Sequence, residues 1–197
     1  MAKFWKDPQN IIAIGVTLIS VCALVVSISQ TRIMVAQSEL MEKQAKASVL
    51  PILELGIKRS FDPETRELTE FRFSLGNNGV GPANILDVRV WYKDTVVQNW
   101  GGLFATLDLP DSIPTYATTS KFNKTTILAG SQLNLLNLSE NLSLANYVND
   151  ARNDIAIEIE YSSIYGDYFY GRREEGVWTN TASEIRHPFS ADESFRN

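Results

Sequence analysis

The pattern of hydrophobic and polar positions changes character along the chain. From Ile11 to Ile28 no charged residue occurs, and the apolar positions cover every face of a helix. At 1.5 Å per residue such a helix spans roughly 27 Å, close to the hydrocarbon thickness of a bilayer. Its backbone hydrogen bonds are made within the segment, so its burial in lipid costs little. Ser29, Gln30 and Thr31 extend the uncharged stretch to Arg32, and Phe4 and Trp5 precede it beside Lys3 and Lys6. The pattern predicts an N-terminal flank over 1–10 and a transmembrane helix over 11–29. A cleaved signal peptide is the competing reading, with Lys3 and Lys6 as a basic start and Ser27 and Ser29 as a small-x-small site. The apolar stretch exceeds the ~7–15 residues of a signal core, which favours a retained anchor.

From Gln30 to Ser48 the residues are strong helix formers, with no glycine or proline before Pro51. Ile33, Leu40 and Ala47 recur at sevens, a weak heptad with polar residues in its seam. Glu39 with Lys43 and Glu42 with Lys46 are i,i+4 pairs in the favoured order. A polar stalk helix is therefore expected over 30–50, stopped by Pro51. It serves as a solvated spacer or as an oligomerising seam.

After Pro51 the period becomes two. Ile52, Leu53, Leu55 and Ile57 open a strand, and the stretch from Phe61 to Arg66 reads as a turn. Phe71, Phe73 and Leu75 mark one face of a second strand. Asn77-Asn78-Gly79-Val80-Gly81-Pro82-Ala83 is a turn cluster. Strands are expected over 85–92, 96–100, 125–128, 132–138, 155–161 and 168–173, with a short last edge over 177–179. The stretch 108–124 reads as irregular, 141–152 as holding a short helix, and 183–197 as a polar, frayed tail. The fold class is mainly β. An antiparallel immunoglobulin-like β-sandwich over 51–182 is expected, preceded by one transmembrane helix that continues into the stalk; a small barrel is the alternative.

The order of these elements resembles a broad group of uncharacterised bacterial single-pass membrane-anchored proteins. The resemblance is carried by the span, the polar helix, the proline-led strand Pro51-Ile52-Leu53, the Asn-x-Gly-x-Gly-Pro-Ala turn at 77–83 and the aromatic hairpin Tyr161–Tyr170. It implies attachment to a bacterial inner membrane, and it brings no activity or functional residues with it.

Composition adds exclusions. The chain has 197 residues, 44% of them hydrophobic, and a net charge of −5. A mildly acidic chain without a basic run lacks the cations that displace counterions from a nucleic acid polymer. Cys22 is the one cysteine, inside the apolar segment, so no intramolecular disulfide forms. Lys3 and Lys6 on one side of the span nearly balance Arg32, Lys43 and Lys46 on the other, and the positive-inside rule picks no orientation.

Few constellations carry chemistry. The glycine turn lacks the lysine and serine or threonine of a phosphate loop, and no helix follows it. His187 is the only histidine and has no triad or zinc partners. Asp108 and Asp111 straddle Pro110 without the density of a calcium loop. The sequons at Asn123, Asn137 and Asn141 read as chance. No catalytic, metal or cofactor residues are assigned. The best recognition candidates are Tyr165, Tyr168, Tyr170, Arg172 and Arg173, residue types that dominate binding hot spots; cross-strand pairing is their structural alternative. The leading expectation is a non-enzymatic, membrane-tethered module that binds a protein partner. The alternatives are an oligomeric sensor for a small anionic, nucleotide-like ligand that alters membrane permeability, and an envelope hydrolase.

Overall fold

The computed structural model describes residues 8–183, 186, 188–190 and 192–196. The chain divides into two units, one ending at Ala47 and the other beginning at Ser48.

The first unit is a single unbroken helix, α1 (Pro8–Ala47). Proline opens it at a position where the missing N–H is no loss. None of its side chains is buried, and its apolar part is long enough to cross a bilayer. The hydroxyls of Thr17, Ser20, Ser29 and Thr31 each bond the carbonyl four residues back, at 2.8–3.0 Å. Polar side chains in the apolar stretch are thereby satisfied without water. Helix and stalk are one element.

The expected stalk boundary moves. α1 stops at Ala47, ahead of Pro51, because the chain that follows is already claimed by the second unit. The Leu50 carbonyl accepts the N–H groups of Val80 (3.0 Å) and Gly81 (3.4 Å), and the Ile52 N–H bonds Asn77 Oδ1 at 3.2 Å. Here the glycine turn finds its use. A Cβ on Gly79 or Gly81 would overlap the backbone of the 49–52 segment. Asn77, 1% exposed, bonds Ile52, Gly79, Gly81 and Ile127 through its side chain. The turn is a clamp on the chain entering the domain.

The second unit is an antiparallel sandwich of two sheets. The smaller has the order β1 (Leu53–Phe61), β2 (Leu68–Asn77), β6 (Gln132–Asn137). The larger runs β4 (Thr95–Val97), β3 (Ala83–Tyr92), β7 (Ile155–Ser162), β8 (Tyr168–Glu174), β9 (Val177–Ser183), with β5 (Thr126–Ile127) also on β3. Leu53, Leu55, Phe71, Phe73 and Leu75 from one sheet meet Val88, Val90, Ile157, Ile159 and Tyr161 from the other. These are the alternating positions that period-two burial requires. Two short helices close the sandwich, α2 (Trp100–Thr106) and α3 (Leu142–Asp150). Asn99 and Asn141 cap them, accepting from Gly102 N at 2.7 Å and Leu144 N at 3.3 Å.

Several expectations shift. The strand expected over 96–100 is the short β4, and Trp100 belongs to α2 instead because Asn99 caps a helix there. β1 runs on through Phe61, so the turn begins at Asp62, whose carboxylate takes the N–H groups of Glu64 and Thr65 at 2.8 Å. β9 is a full strand, aligned by the two-residue turn Glu175-Gly176, both at positive φ.

The tail is the clearest correction. It is not frayed throughout, for Phe195 is fully buried, 5.0 Å from the Trp100 ring and 5.7 Å from Phe122. Its N–H bonds the Val88 carbonyl at 2.7 Å, and Arg196 N–H bonds Gln98 at 2.6 Å. On that edge β3 pairs with β5 at Ala83–Asn84 and with β4 at Val90–Tyr92. Phe195 fills the gap, pairing a carbonyl that burial would otherwise strand.

Candidate ligand surfaces of the β-domain

β7 lies at the centre of the larger sheet, and its two faces diverge in chemistry. Ile155, Ile157, Ile159 and Tyr161 face the smaller sheet, while Glu158 and Glu160 face away, yet both acids are buried. Cross-strand register sets Glu158 beside Arg89 of β3 and Arg172 of β8. Arg89 reaches it through Nε and Nη2, both at 2.5 Å, and Arg172 through Nη1 at 2.7 Å. Trp91 Nε1 donates at 3.2 Å. Two guanidiniums on one buried carboxylate make short charge-assisted bonds. Arg89 also pairs with Glu193 at 3.1 Å and lies over the Phe189 ring at 4.4 Å. Burial works against the Arg89 charge. The hydrogen bond and charge of Glu158, with Tyr170 and Glu193, outweigh it and hold its pKa above the ordinary value. For Arg172 the hydrogen bond it donates to Glu174, at 2.7 Å, leads an upward shift to which Glu158 adds.

The segment after β9 folds back over this outer face. Arg186 Nε bonds Glu160 at 3.2 Å, Phe189 meets Tyr170 edge-on at 6.2 Å, and Ser194 bonds Asp87. Between segment and sheet lies a cavity of about 490 Å³, whose lining includes Tyr168, Tyr170, Phe189, Arg89 and Glu160. Glu160 is 3% exposed, and its Oε1 has no hydrogen-bond partner among the described residues. Burial, then Glu158, pushes the Tyr170 phenol up to about 12, so it stays a neutral donor at physiological pH.

The sequence candidates divide by strand alternation. Tyr168 and Tyr170 enter the cavity, and Arg172 shares their face one register further along. Tyr165 sits 52% exposed at the β7–β8 turn beside Ile164, 54% exposed. Arg173 goes elsewhere. It points into the sandwich, 5% exposed and over the Phe73 ring at 5.7 Å, and donates to the carbonyls of Arg152 (3.2 Å) and Ile155 (3.4 Å). Burial first, then the charges of Arg152 and Arg59, lower its pKa below the ordinary value. Arg89, Glu158, Glu160 and Phe189 escaped the sequence reading. A signal existed for the acids: glutamates alternating with isoleucines mark a strand whose polar face is charged, and Arg89 alternates the same way on β3.

Asp108 and Asp111 are exposed. Among the described residues no group of three His, Cys, Asp or Glu side chains is placed to hold a metal. Asn141 is a buried cap that also donates to Pro114 and Tyr116 carbonyls at 2.7 and 3.1 Å. His187 lies outside the described residues. Comparison with protein-family models, with curated proteins and with solved structures finds no match to this chain.

Proposed function

We propose that the chain is a non-enzymatic, single-pass membrane-tethered interaction module. Its β-domain binds a protein partner through the outer face of the larger sheet. The observation that carries this reading is the cavity under the C-terminal segment. It has aromatic walls from Tyr168, Tyr170 and Phe189, and its lining includes the buried Glu160. Buried acceptors are ordinarily paired, and Glu160 on the cavity lining has one acceptor with no donor among the described residues. Ile164 and Tyr165 at the adjoining turn extend the surface with exposed apolar area of the kind that marks interaction sites.

The tether rests on α1, which is long and apolar enough to cross a bilayer, and whose apolar stretch exceeds the ~7–15 residues of a signal core. Its stalk keeps Ile33 and Leu40 uncovered, at 57% and 62% exposure, which supports homo-oligomerisation through that seam as part of the proposal. The sandwich is immunoglobulin-like in the broad sense, a reading supported by the chain passing between sheets from β2 to β3 and from β6 to β7.

Photocrosslinking in the membrane tests the partner. A photoreactive residue at Thr181, on the cavity wall, is expected to give a discrete heterologous product that Tyr168→Ala abolishes. A second probe at Thr65, in the β1–β2 turn, is expected to give none. Equal products from both positions, or none from Thr181, would sink the reading.

A further inference from the structure

A second cavity, of about 540 Å³, opens between β1 of the smaller sheet and the β8–β9 hairpin of the larger. Its lining brings together Arg59, Arg152 and Arg173, from β1, the turn after α3 and β8. In a chain of net charge −5, three guanidiniums in one cavity need a reason. Three acids of the sheets are engaged elsewhere: Glu70 with Lys58 and Arg72, Glu158 with Arg89 and Arg172, Glu160 with Arg186. Among the described residues no carboxylate pairs with any of the three.

What they have are neutral oxygens. Arg59 Nη1 bonds Asn149 Oδ1 at 3.3 Å, and Arg152 Nη1 bonds the Asn149 carbonyl at 2.6 Å, at the C-terminal end of α3. Arg173 Nη1 donates to two carbonyls. Carbonyls satisfy donors but do not cancel charge. Arg173 is 95% withdrawn from water, being 5% exposed, so water screens it poorly from its like-charged neighbours. The one acid on the lining, Glu54, lies an odd number of positions from Arg59 on β1 and so faces the other way, and its carboxylate accepts from Asn78 Nδ2 at 2.7 Å.

We infer that this cavity binds a small anion of the phosphate-ester class. Three converging cations call for more than one negative charge, which a phosphate monoester or a pyrophosphate carries and a single carboxylate does not. Guanidinium forks match tetrahedral oxyanions through paired N–H donors. The volume exceeds that of bare phosphate and lies in the range of small-molecule sites, and Trp178 walls one side for an organic remainder. This site is separate from the aromatic cavity and does not depend on the partner proposed there.

Inorganic pyrophosphate is the probe, titrated calorimetrically into the full chain in phosphatidylcholine nanodiscs. Arg59 is exposed and Arg152 half-buried, so Arg59→Gln and Arg152→Gln are readily folded variants, whereas Arg173 variants are not relied on. Loss of one charged hydrogen bond is worth about 1.5–3 kcal/mol, so each substitution is expected to weaken binding at least about tenfold. The double variant is expected to abolish it. Arg66→Gln, an exposed arginine in the β1–β2 turn, is expected to change nothing. Phosphatidic acid in the nanodisc separates two sources of the anion: competition with pyrophosphate assigns a lipid headgroup, and unchanged affinity assigns a soluble phosphate ester. Absence of pyrophosphate binding, or equal binding by the double variant, overturns the inference.

Discussion

Glu158 gathers two arginines at the centre of the larger sheet, whereas Arg59, Arg152 and Arg173 meet at the edge of the sandwich with no carboxylate paired to them among the described residues. The same residue type thus plays opposite parts a few strands apart. Around Glu158 each guanidinium charge is cancelled inside the fold, and the group acts as a cross-strand tie. At the sandwich edge the charge is left over. A charge that folding does not use is available to a ligand, and its cost to stability is the usual mark of a binding site. The comparison also explains why hot-spot residue types alone misdirect: Arg172 is spent on Glu158 and Glu174, while its neighbour Arg173 pairs with no acid among the described residues.

The largest effect expected from this contrast is at Glu158. Glu158→Gln removes one charge and leaves two guanidiniums facing each other over a buried amide. Breaking a buried pair by removing one partner costs about 3–5 kcal/mol. The lower end applies, since Arg172 is 39% exposed and water relieves part of the loss. Thermal or urea unfolding should show a loss of about 3 kcal/mol, roughly 6–12 °C in Tm for a domain of this size. A change under 1 kcal/mol would mean that the tie contributes little and that its arginines are as available as the other three.

A smaller effect sharpens the same point through pH. The phenols of Tyr161 and Tyr170 are pushed up to about 12, both chiefly by burial, with Glu158 adding to Tyr170. Folding therefore holds these protons more tightly than the unfolded chain, whose phenols titrate near 10. Their contribution is fully present below about pH 10 and is lost as pH rises toward 12. Unfolding midpoints followed through that range should stay flat and then fall, and Tyr170→Phe should remove part of the fall. A fall that Tyr170→Phe leaves untouched would separate Tyr170 from the Glu158 cluster.

Much of the fold is written in local pattern. The apolar run, the period-two strands and the clusters at Asn77–Ala83 and Gly166-Asp167 each follow from steric and hydrophobic rules acting over a few residues. What escaped depends on distant residues. Trp100 reads as strand until Asn99 caps a helix. Phe195 sits in a polar run, and only the gap on β3 and the rings of Trp100 and Phe122 make it a core residue. The candidate sites divide the same way. Tyr168 and Tyr170 were visible because aromatic residues cluster in one hairpin. Arg59 and Arg152, 93 positions apart in the sequence, share a cavity with Arg173 only after the sheets stack.

The smallest expected effect tests the comparison from its other side. Arg173→Met removes a buried guanidinium that no acid among the described residues offsets and keeps a side chain of similar reach over Phe73. The variant loses two bonds to carbonyls, worth about 1 kcal/mol each. It is relieved of the desolvation cost of a buried charge and of the repulsion from Arg152 and Arg59. Apolar replacement of buried ions is often neutral or stabilising, so these terms are expected to cancel within about 1 kcal/mol. Unfolding in phosphate-free buffer reads the balance directly. If Arg173→Met instead costs as much as Glu158→Gln, the guanidinium is a structural strut held by the Arg152 and Ile155 carbonyls. The distinction between used and unused arginines then fails. Near-neutrality in buffer, combined with loss of the stabilisation that pyrophosphate gives the wild type, would show that the residue is kept for a ligand and not for the fold.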